Sequence, residues 1–166
     1  MREIVLSKGY KAIVDDEDYE RASTKRWFAS ADPRGYIRAT RGERIDGKKT
    51  TLYLSRYVIE APPGVFVDHI NGDMLDNRKC NLRCCSASEN QQNRHAVWSR
   101  SGFKGVRESV VRGKSYGYRA YIKLNGGQKH IGVFKDPESA ARAYDNAAVK
   151  YFGEFACTNR GLGLCN

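Results

Sequence analysis

The chain has 166 residues, 40% of them hydrophobic, and a formal net charge of +10. This length allows two or three small modules but not one large core. The mean hydropathy is −0.65 and no long apolar run occurs, which excludes a membrane-spanning class, so no membrane partner is expected.

Residues 1–60 are predicted to form a small β module. Runs of β-branched and aromatic residues recur in this part of the chain. They are Ile4–Leu6, Lys11–Val14, Tyr36–Ala39 and Thr51–Leu54. The acidic run Asp15–Asp18 lacks the ligand alternation and the distal glutamate of a calcium loop, so we expect a solvated turn that caps the following segment.

Two strands joined by a turn are predicted next, with an acid and a histidine at the end of the first. Asp68 and His69 follow the apolar run Val65–Val67. Because strand side chains alternate, these two residues should point to opposite faces unless the strand bends. Asn71-Gly72 predicts a sharp turn, since both residues tolerate positive φ. The second strand is expected at Asn81–Cys85.

A helix is predicted to begin directly after Ser86, which forms a capping box with Glu89. Asn90 lies in the first turns of this helix. The hairpin and the helix could therefore bring Asp68, His69 and Asn90 together. Such groups can hold one hard divalent cation beside a general base, a combination that is typical of a nuclease site.

Residues 61–97 resemble the HNH endonuclease family and its ββα-metal motif. The resemblance is carried by Asp68-His69-Ile70-Asn71-Gly72-Asp73, Asp76-Asn77-Arg78, Asn81-Leu82-Arg83 and Asn90. It implies that His69 is the general base and that Asn81 orients the loop and this histidine. It also implies that Asp68 and Asn90 hold Mg²⁺ or Mn²⁺.

The third position of this motif stays open. Members of the family carry a histidine or an asparagine there, so Asn93 and His95 are alternatives to Asn90. Upstream of the motif, Arg56 is a candidate for reaching the scissile phosphate. The basic hairpin Arg38–Lys49 is expected either to contact DNA or to be solvated.

Residues 101–160 are predicted to form a three-stranded antiparallel sheet packed on one helix. A helix is expected from about Pro137 to Gly153, and the strands at Gly105–Arg107, Tyr118–Lys123 and Gln128–Phe134. One stripe of the helix should lie on the sheet, namely Ala140, Ala141, Tyr144, Ala147, Ala148 and Tyr151. The other face of the sheet is then left open.

This C-terminal module resembles the APETALA or ethylene-response-factor DNA-binding domain. The matching segments are Gly105-Val106-Arg107, Ile131-Gly132-Val133-Phe134 and Ala140–Ala148. That family inserts its sheet into the major groove, which implies DNA contacts from Arg107, Arg119, Tyr121, Lys123, Gln128 and His130. Residues 101–166 carry 11 basic and 5 acidic residues, a balance that favours a polyanionic partner. The alternative is a solvated basic sheet without a ligand.

The five cysteines are expected to be small core thiols. Their odd number and the lack of a secretory or transit segment favour reduced thiols in a cytoplasm, that of a bacterial or phage-infected cell. Cys80, Cys84 and Cys85 form one cluster, but Cys157 and Cys165 lie at the wrong spacing to complete it. Structural zinc is therefore not expected.

The predicted fold class is α+β, with an N-terminal β module, a ββα-metal core and the C-terminal sheet and helix in chain order. The resemblance implies a homing-type endonuclease, as phages and introns encode, that acts on double-stranded DNA. One catalytic constellation per chain favours nicking by a monomer, or a weak dimer on DNA. The alternatives are a DNA-binding transcription regulator with an inactive HNH scaffold and a nuclease directed to RNA.

Overall fold

The computed structural model describes residues 1–45, 47–95, 97 and 99–165. The chain divides into two compact units, residues 1–90 and residues 91–166. Small antiparallel sheets and helices make up both units, so the predicted α+β class is confirmed.

The described residues of the first unit form three small antiparallel sheets. The first pairs two strands, β1 (Arg2–Val5) and β2 (Lys11–Val14). The second has β4 in its centre, and its strands are β3 (Phe28–Ala31), β4 (Ile37–Ile45) and β5 (Lys48–Tyr53). The third is the predicted hairpin of β6 (Phe66–His69) and β7 (Leu82–Cys85). The helices are α1 (Asp16–Ser23), α2 (Leu54–Val58) and α3 (Ala87–Gln92), which begins in this unit.

One hydrophobic core joins the predicted β module to the predicted nuclease segment. Trp27 and Leu54 are buried in it together with Leu82 of β7, and Val67 of β6 packs against the same cluster. Residues far apart in the chain therefore share one core. This corrects the predicted boundary near residue 60, and the boundary between the two units lies at residues 90–91.

Two helices of the first unit differ from the sequence prediction. Asp15 lies at the N-cap of α1, in line with the predicted capping of the following segment. The rest of the acidic run forms the first turn of this helix instead of a solvated turn, and Asp18 is buried, where it accepts a hydrogen bond from Arg21 at 2.9 Å. Acidic side chains are favourable in the first turn of a helix because they face its positive end. Leu54, predicted at the end of a strand, begins α2.

The second unit is a three-stranded antiparallel sheet packed on one helix, as predicted. Its central strand is β9, and its elements are β8 (Val106–Val111), β9 (Lys114–Leu124), β10 (Gly127–Phe134) and α4 (Pro137–Phe152). Ala140, Tyr144 and Ala148 are buried on α4. Tyr151 is 40% exposed and its hydroxyl accepts a hydrogen bond from Lys129, so its predicted place on the buried stripe is wrong.

The cysteines match their predicted role only in part. Cys85 and Cys157 are buried and Cys165 is half-buried, but Cys80 and Cys84 are exposed. Burial raises the pKa of the Cys85 thiol to about 11, so this thiol is protonated at neutral pH. The expectation of core thiols is therefore wrong for Cys80 and Cys84. Across the described residues, no helix has both the length and the apolar character that crossing a membrane requires.

Candidate active site

The hairpin of β6 and β7 carries the predicted acid and histidine. In its antiparallel register Asp68 faces Arg83 and His69 faces Leu82. Asp68 is 5% exposed and His69 is 6% exposed. Consecutive strand residues point to opposite faces, so the burial of both means that both faces of this short hairpin are covered.

A cavity of about 510 Å³ brings the predicted site residues together. Its lining includes Asp68, His69 and Asn90, which the sequence analysis expected to meet. It also includes Asn77, which lies in the segment that resembles the HNH family but was given no role. Three arginines also line the cavity, namely Arg34, Arg38 and Arg56.

The carboxylate of Asp68 is held by a buried ion pair. Arg83 donates to Oδ2 of Asp68 from Nε at 2.9 Å and from Nη2 at 2.8 Å. Carboxylates that ligate metals are themselves commonly hydrogen-bonded, because the outer partner fixes their orientation. Sequence reasoning missed this role of Arg83. The signal that could have revealed it was the hairpin itself, since pairing its two strands places Asp68 opposite Arg83.

His69 is buried in a setting that favours the neutral imidazole. Burial lowers its pKa below the ordinary value, the hydrogen bond with Asn77 opposes this effect, and the charge of Arg38 adds to it. Nε2 of His69 lies 3.4 Å from Oδ1 of Asn77, whose amide nitrogen donates to the carbonyl of Leu75 at 3.0 Å. An oxygen acceptor at Nε2 favours the tautomer that carries its proton on that nitrogen.

Asn81 stabilises the turn between the two strands through hydrogen bonds. Its Oδ1 accepts from the backbone of Asn71 at 2.9 Å, and its amide nitrogen donates to the carbonyl of Asp76 at 2.8 Å. The Asp76 carboxylate is held in turn by Arg78, which donates at 2.7 and 2.6 Å. These bonds fix the loop that carries Asn77. They support the loop-orienting role implied for Asn81, which stays a prediction.

Of the three candidates for the third motif position, Asn90 lines the cavity. The predicted capping box before it is confirmed, because the Glu89 amide donates to Ser86 Oγ at 3.2 Å and the Ser86 amide donates to Glu89 at 2.7 Å. Helix α3 ends at Gln92, so Asn93 follows it directly and lies outside the helix. Asn93 and His95 belong to the second unit.

Arg56 lines the cavity while its guanidinium binds backbone oxygens. It donates to the carbonyls of Ala61 at 3.2 Å, Pro62 at 2.7 Å and Val65. These bonds hold the segment that leads into β6. Arg56 thus has a positioning role in this structure, and its contact with a scissile phosphate stays a prediction.

The donor atoms of the site fit a hard divalent cation. Asp68 offers a carboxylate and Asn90 an amide oxygen, which are ligand types that Mg²⁺ and Mn²⁺ accept. Among the described residues, no cluster of three or more His, Cys, Asp and Glu side chains could hold a metal ion. A site with few protein ligands suits Mg²⁺, which usually keeps several waters and binds phosphate oxygens as well.

The six residues of the C-terminal module that are predicted to contact DNA lie on one face of its sheet. Ala120 and Ile122 alternate with them and are buried in the clusters that include Ala140 and Tyr144 of α4. Residues directly opposite each other in a sheet share a face. The opposite pairs are Arg107 with Arg119, Tyr121 with His130 and Lys123 with Gln128. Tyr121 is half-buried and the other five are exposed.

Comparison with known proteins identifies the family of the chain. Residues 60–92 match the family model described as HNH endonuclease. The chain is 30% identical over 159 residues to the uncharacterized HNH endonuclease L560 of Acanthamoeba polyphaga mimivirus, and the match covers 92% of this chain and 76% of that protein. The chain therefore belongs to the HNH endonuclease family.

A solved structure is also similar to the chain. It describes DNA binding and cleavage by the HNH homing endonuclease I-HmuI. The identity is 18%, the match covers 92% of this chain and 91% of that chain, and the TM-score is 0.33. The APETALA-type resemblance of the second unit stays a prediction.

Proposed function

We propose that the chain is a homing-type, site-directed DNA endonuclease that hydrolyses phosphodiester bonds with one divalent ion, Mg²⁺ or Mn²⁺. The cavity that joins Asp68, His69 and Asn90 carries this proposal. An acid, a neutral imidazole and an amide around one opening are the groups that metal-assisted hydrolysis of a phosphodiester needs. Membership of the HNH endonuclease family supports the same class of reaction.

His69 acts as the general base. Its Nδ1 takes a proton from the water whose oxygen attacks phosphorus, and the bond from Nε2 to Asn77 holds the ring in place. The amide oxygen of Asn77 also stabilises the imidazolium that forms. Asp68 and Asn90 would hold the metal ion. When bound, that ion supplies Lewis-acid stabilisation of the charge on the leaving 3′ oxygen.

The open face of the C-terminal sheet binds double-stranded DNA in this proposal. Arg107 stands directly opposite Arg119, and like charges in that position destabilise an empty sheet. A phosphate backbone laid across the face would neutralise both. Tyr121 and His130 place their ring centroids 5.3 Å apart on the same face. One catalytic constellation per chain favours a nick made by a monomer.

Cleavage of supercoiled plasmid tests the proposal. The protein should relax the plasmid with Mg²⁺ or Mn²⁺ and should fail to do so with a chelator. His69→Ala should still bind DNA but cut about a hundredfold to ten-thousandfold more slowly, because a positioned base is lost. His130→Ala is the matched control, since it removes a histidine of the other unit and should change affinity rather than the rate at saturating protein. Binding without any metal-dependent cleavage would contradict the proposal and favour a DNA-binding regulator.

A further inference from the structure

Arg38 lines the candidate active site, yet its guanidinium makes no hydrogen bond within the described residues. Its Nε is buried without a partner. Nη2 lies 3.6 Å from Oδ2 of Asp32, which is an ion contact but too long for a hydrogen bond. The ring centroid of Tyr53 is 5.9 Å from Cζ. The side chain is only 32% exposed, so water can satisfy only part of its donor capacity.

The other arginines near this cavity are already engaged. Arg34 donates to Asp32 at 3.2 Å, and Arg56 donates to three backbone carbonyls. Arg83, which faces Asp68 across the hairpin, donates twice to that carboxylate. A guanidinium has five N–H donors and no acceptor, and leaving such donors partly buried and unmatched is unfavourable. The donors of Arg38 therefore need an acceptor that the rest of the unit does not supply.

We propose that Arg38 is the phosphate-binding residue of this cavity and grips the scissile phosphate of the DNA strand. The identity of that phosphate rests on the proposed nuclease function. A guanidinium presents two parallel donors that match two phosphate oxygens. Its fixed charge would also stabilise the extra negative charge that develops on phosphorus oxygens during attack.

The placement of Arg38 suits this role. It stands opposite Ser30 in the pairing of β3 with β4, so its backbone is held by the sheet. Arg38 and His69 line one cavity, so the guanidinium and the proposed base face the same space. The same cavity holds Asp68 and Asn90. A phosphate bound by Arg38 would thus lie among the groups that act on it.

Binding of inorganic phosphate tests Arg38 without any cleavage. The Nε–H signal of Arg38 can be followed by NMR in the metal-free protein and assigned through its loss in Arg38→Lys. We expect this signal to move during a phosphate titration before that of Arg26, an exposed arginine of the same unit that does not line the cavity. Movement of both signals at the same phosphate concentrations would overturn the proposal, whether or not the protein is a nuclease.

The cleavage rate then tests whether the phosphate that Arg38 binds is the scissile one. Arg38→Ala should lower the single-turnover rate roughly 100-fold, as loss of one preorganised charge donor does, while the Kd for uncut DNA stays within about threefold. Arg38→Lys should recover part of the rate, because it restores the charge without the fork. Arg26→Ala should cut like the wild type, and thermal unfolding should be similar for all three. A wild-type rate in Arg38→Ala would refute the role in cleavage.

If the unaltered protein does not cut at all, the proposed nuclease function fails. The phosphate titration still decides whether Arg38 is an anion site, so the two failures are distinguishable.

Discussion

The two compact units differ in their balance of basic and acidic residues. Residues 1–90 carry 16 basic and 14 acidic residues, whereas residues 91–166 carry 13 basic and 5 acidic residues. In the first unit, buried charges such as Asp68 and Arg83 are matched with each other. In the second unit, Arg107 and Arg119 face each other on an open sheet. Buried ion pairs fix geometry, whereas exposed like charges on an open face attract a polyanion, so we expect the first unit to govern rate and the second to govern affinity.

The largest effect is expected when one member of the buried ion pair is removed from the first unit. Arg83→Met removes the buried ion pair with the carboxylate of Asp68, which should lower the free energy of unfolding by about 3 kcal/mol. Arg119→Met removes an exposed arginine from the second unit and should change stability by less than about 0.5 kcal/mol. Urea denaturation measures both values.

A second variant separates the charge effect from the loss of packing. Asp68→Leu combined with Arg83→Met replaces the pair by apolar groups and should recover much of the stability lost in Arg83→Met alone. If the single and double variants lose the same free energy of unfolding, Arg83 stabilises the fold through its packing and not through the ion pair.

Metal dependence tests which asparagine belongs to the site of the first unit. Asn90→Ala should raise the Mg²⁺ concentration needed for half-maximal cleavage by at least about tenfold, because the proposed metal ligand is lost. Asn93→Ala removes an asparagine of the second unit and should have a smaller effect on that concentration. A larger effect from Asn93 than from Asn90 would move the third motif position to the segment after α3.

Elements with a strong local signal were the ones that the sequence predicted well. Ser86 and Glu89 indicate the start of α3 because the capping bonds lie within one turn. The alternation around Ala120 and Ile122 correctly separates the two faces of the C-terminal sheet, since strand periodicity is also local.

Features that depend on distant parts of the chain were missed. The burial of Leu82 with Trp27 merges two predicted modules into one core, and no local pattern reports such packing. The same holds for the site, where the strand β4 brings Arg38 into the cavity of His69. Sequence reasoning named Arg56, which lies close to the motif along the chain and also lines the cavity, but it placed Arg38 only in a basic hairpin that contacts DNA or is solvated.

The salt dependence of DNA binding tests the second unit. Arg119→Ala with Lys123→Ala should reduce the slope of log affinity against log salt concentration by roughly 0.9 for each phosphate that is no longer neutralised. The cleavage rate at saturating protein should stay close to that of the wild type, because the cavity is unchanged. Arg142→Ala with Lys150→Ala is the matched control, since it removes two exposed charges from α4. An equal fall in slope for both double variants would mean that the open face is not a specific DNA surface.

The smallest expected effect concerns the loop that positions Asn77. The hydrogen bonds from Arg78 hold the pKa of the Asp76 carboxyl below its ordinary value. A lowered pKa in the folded state stabilises the fold fully above the unfolded value, near pH 4, and this contribution is lost as the pH falls through the folded value. The difference in unfolding free energy between the wild type and Asp76→Asn should therefore be constant above about pH 5 and should shrink below about pH 4. Glu108→Gln, at an exposed position of the second unit, is the control variant. If the two differences change equally with pH, the ion pair at Asp76 adds no more to the free energy of unfolding than an exposed acid does. The contrast between the two units would then not extend to this loop.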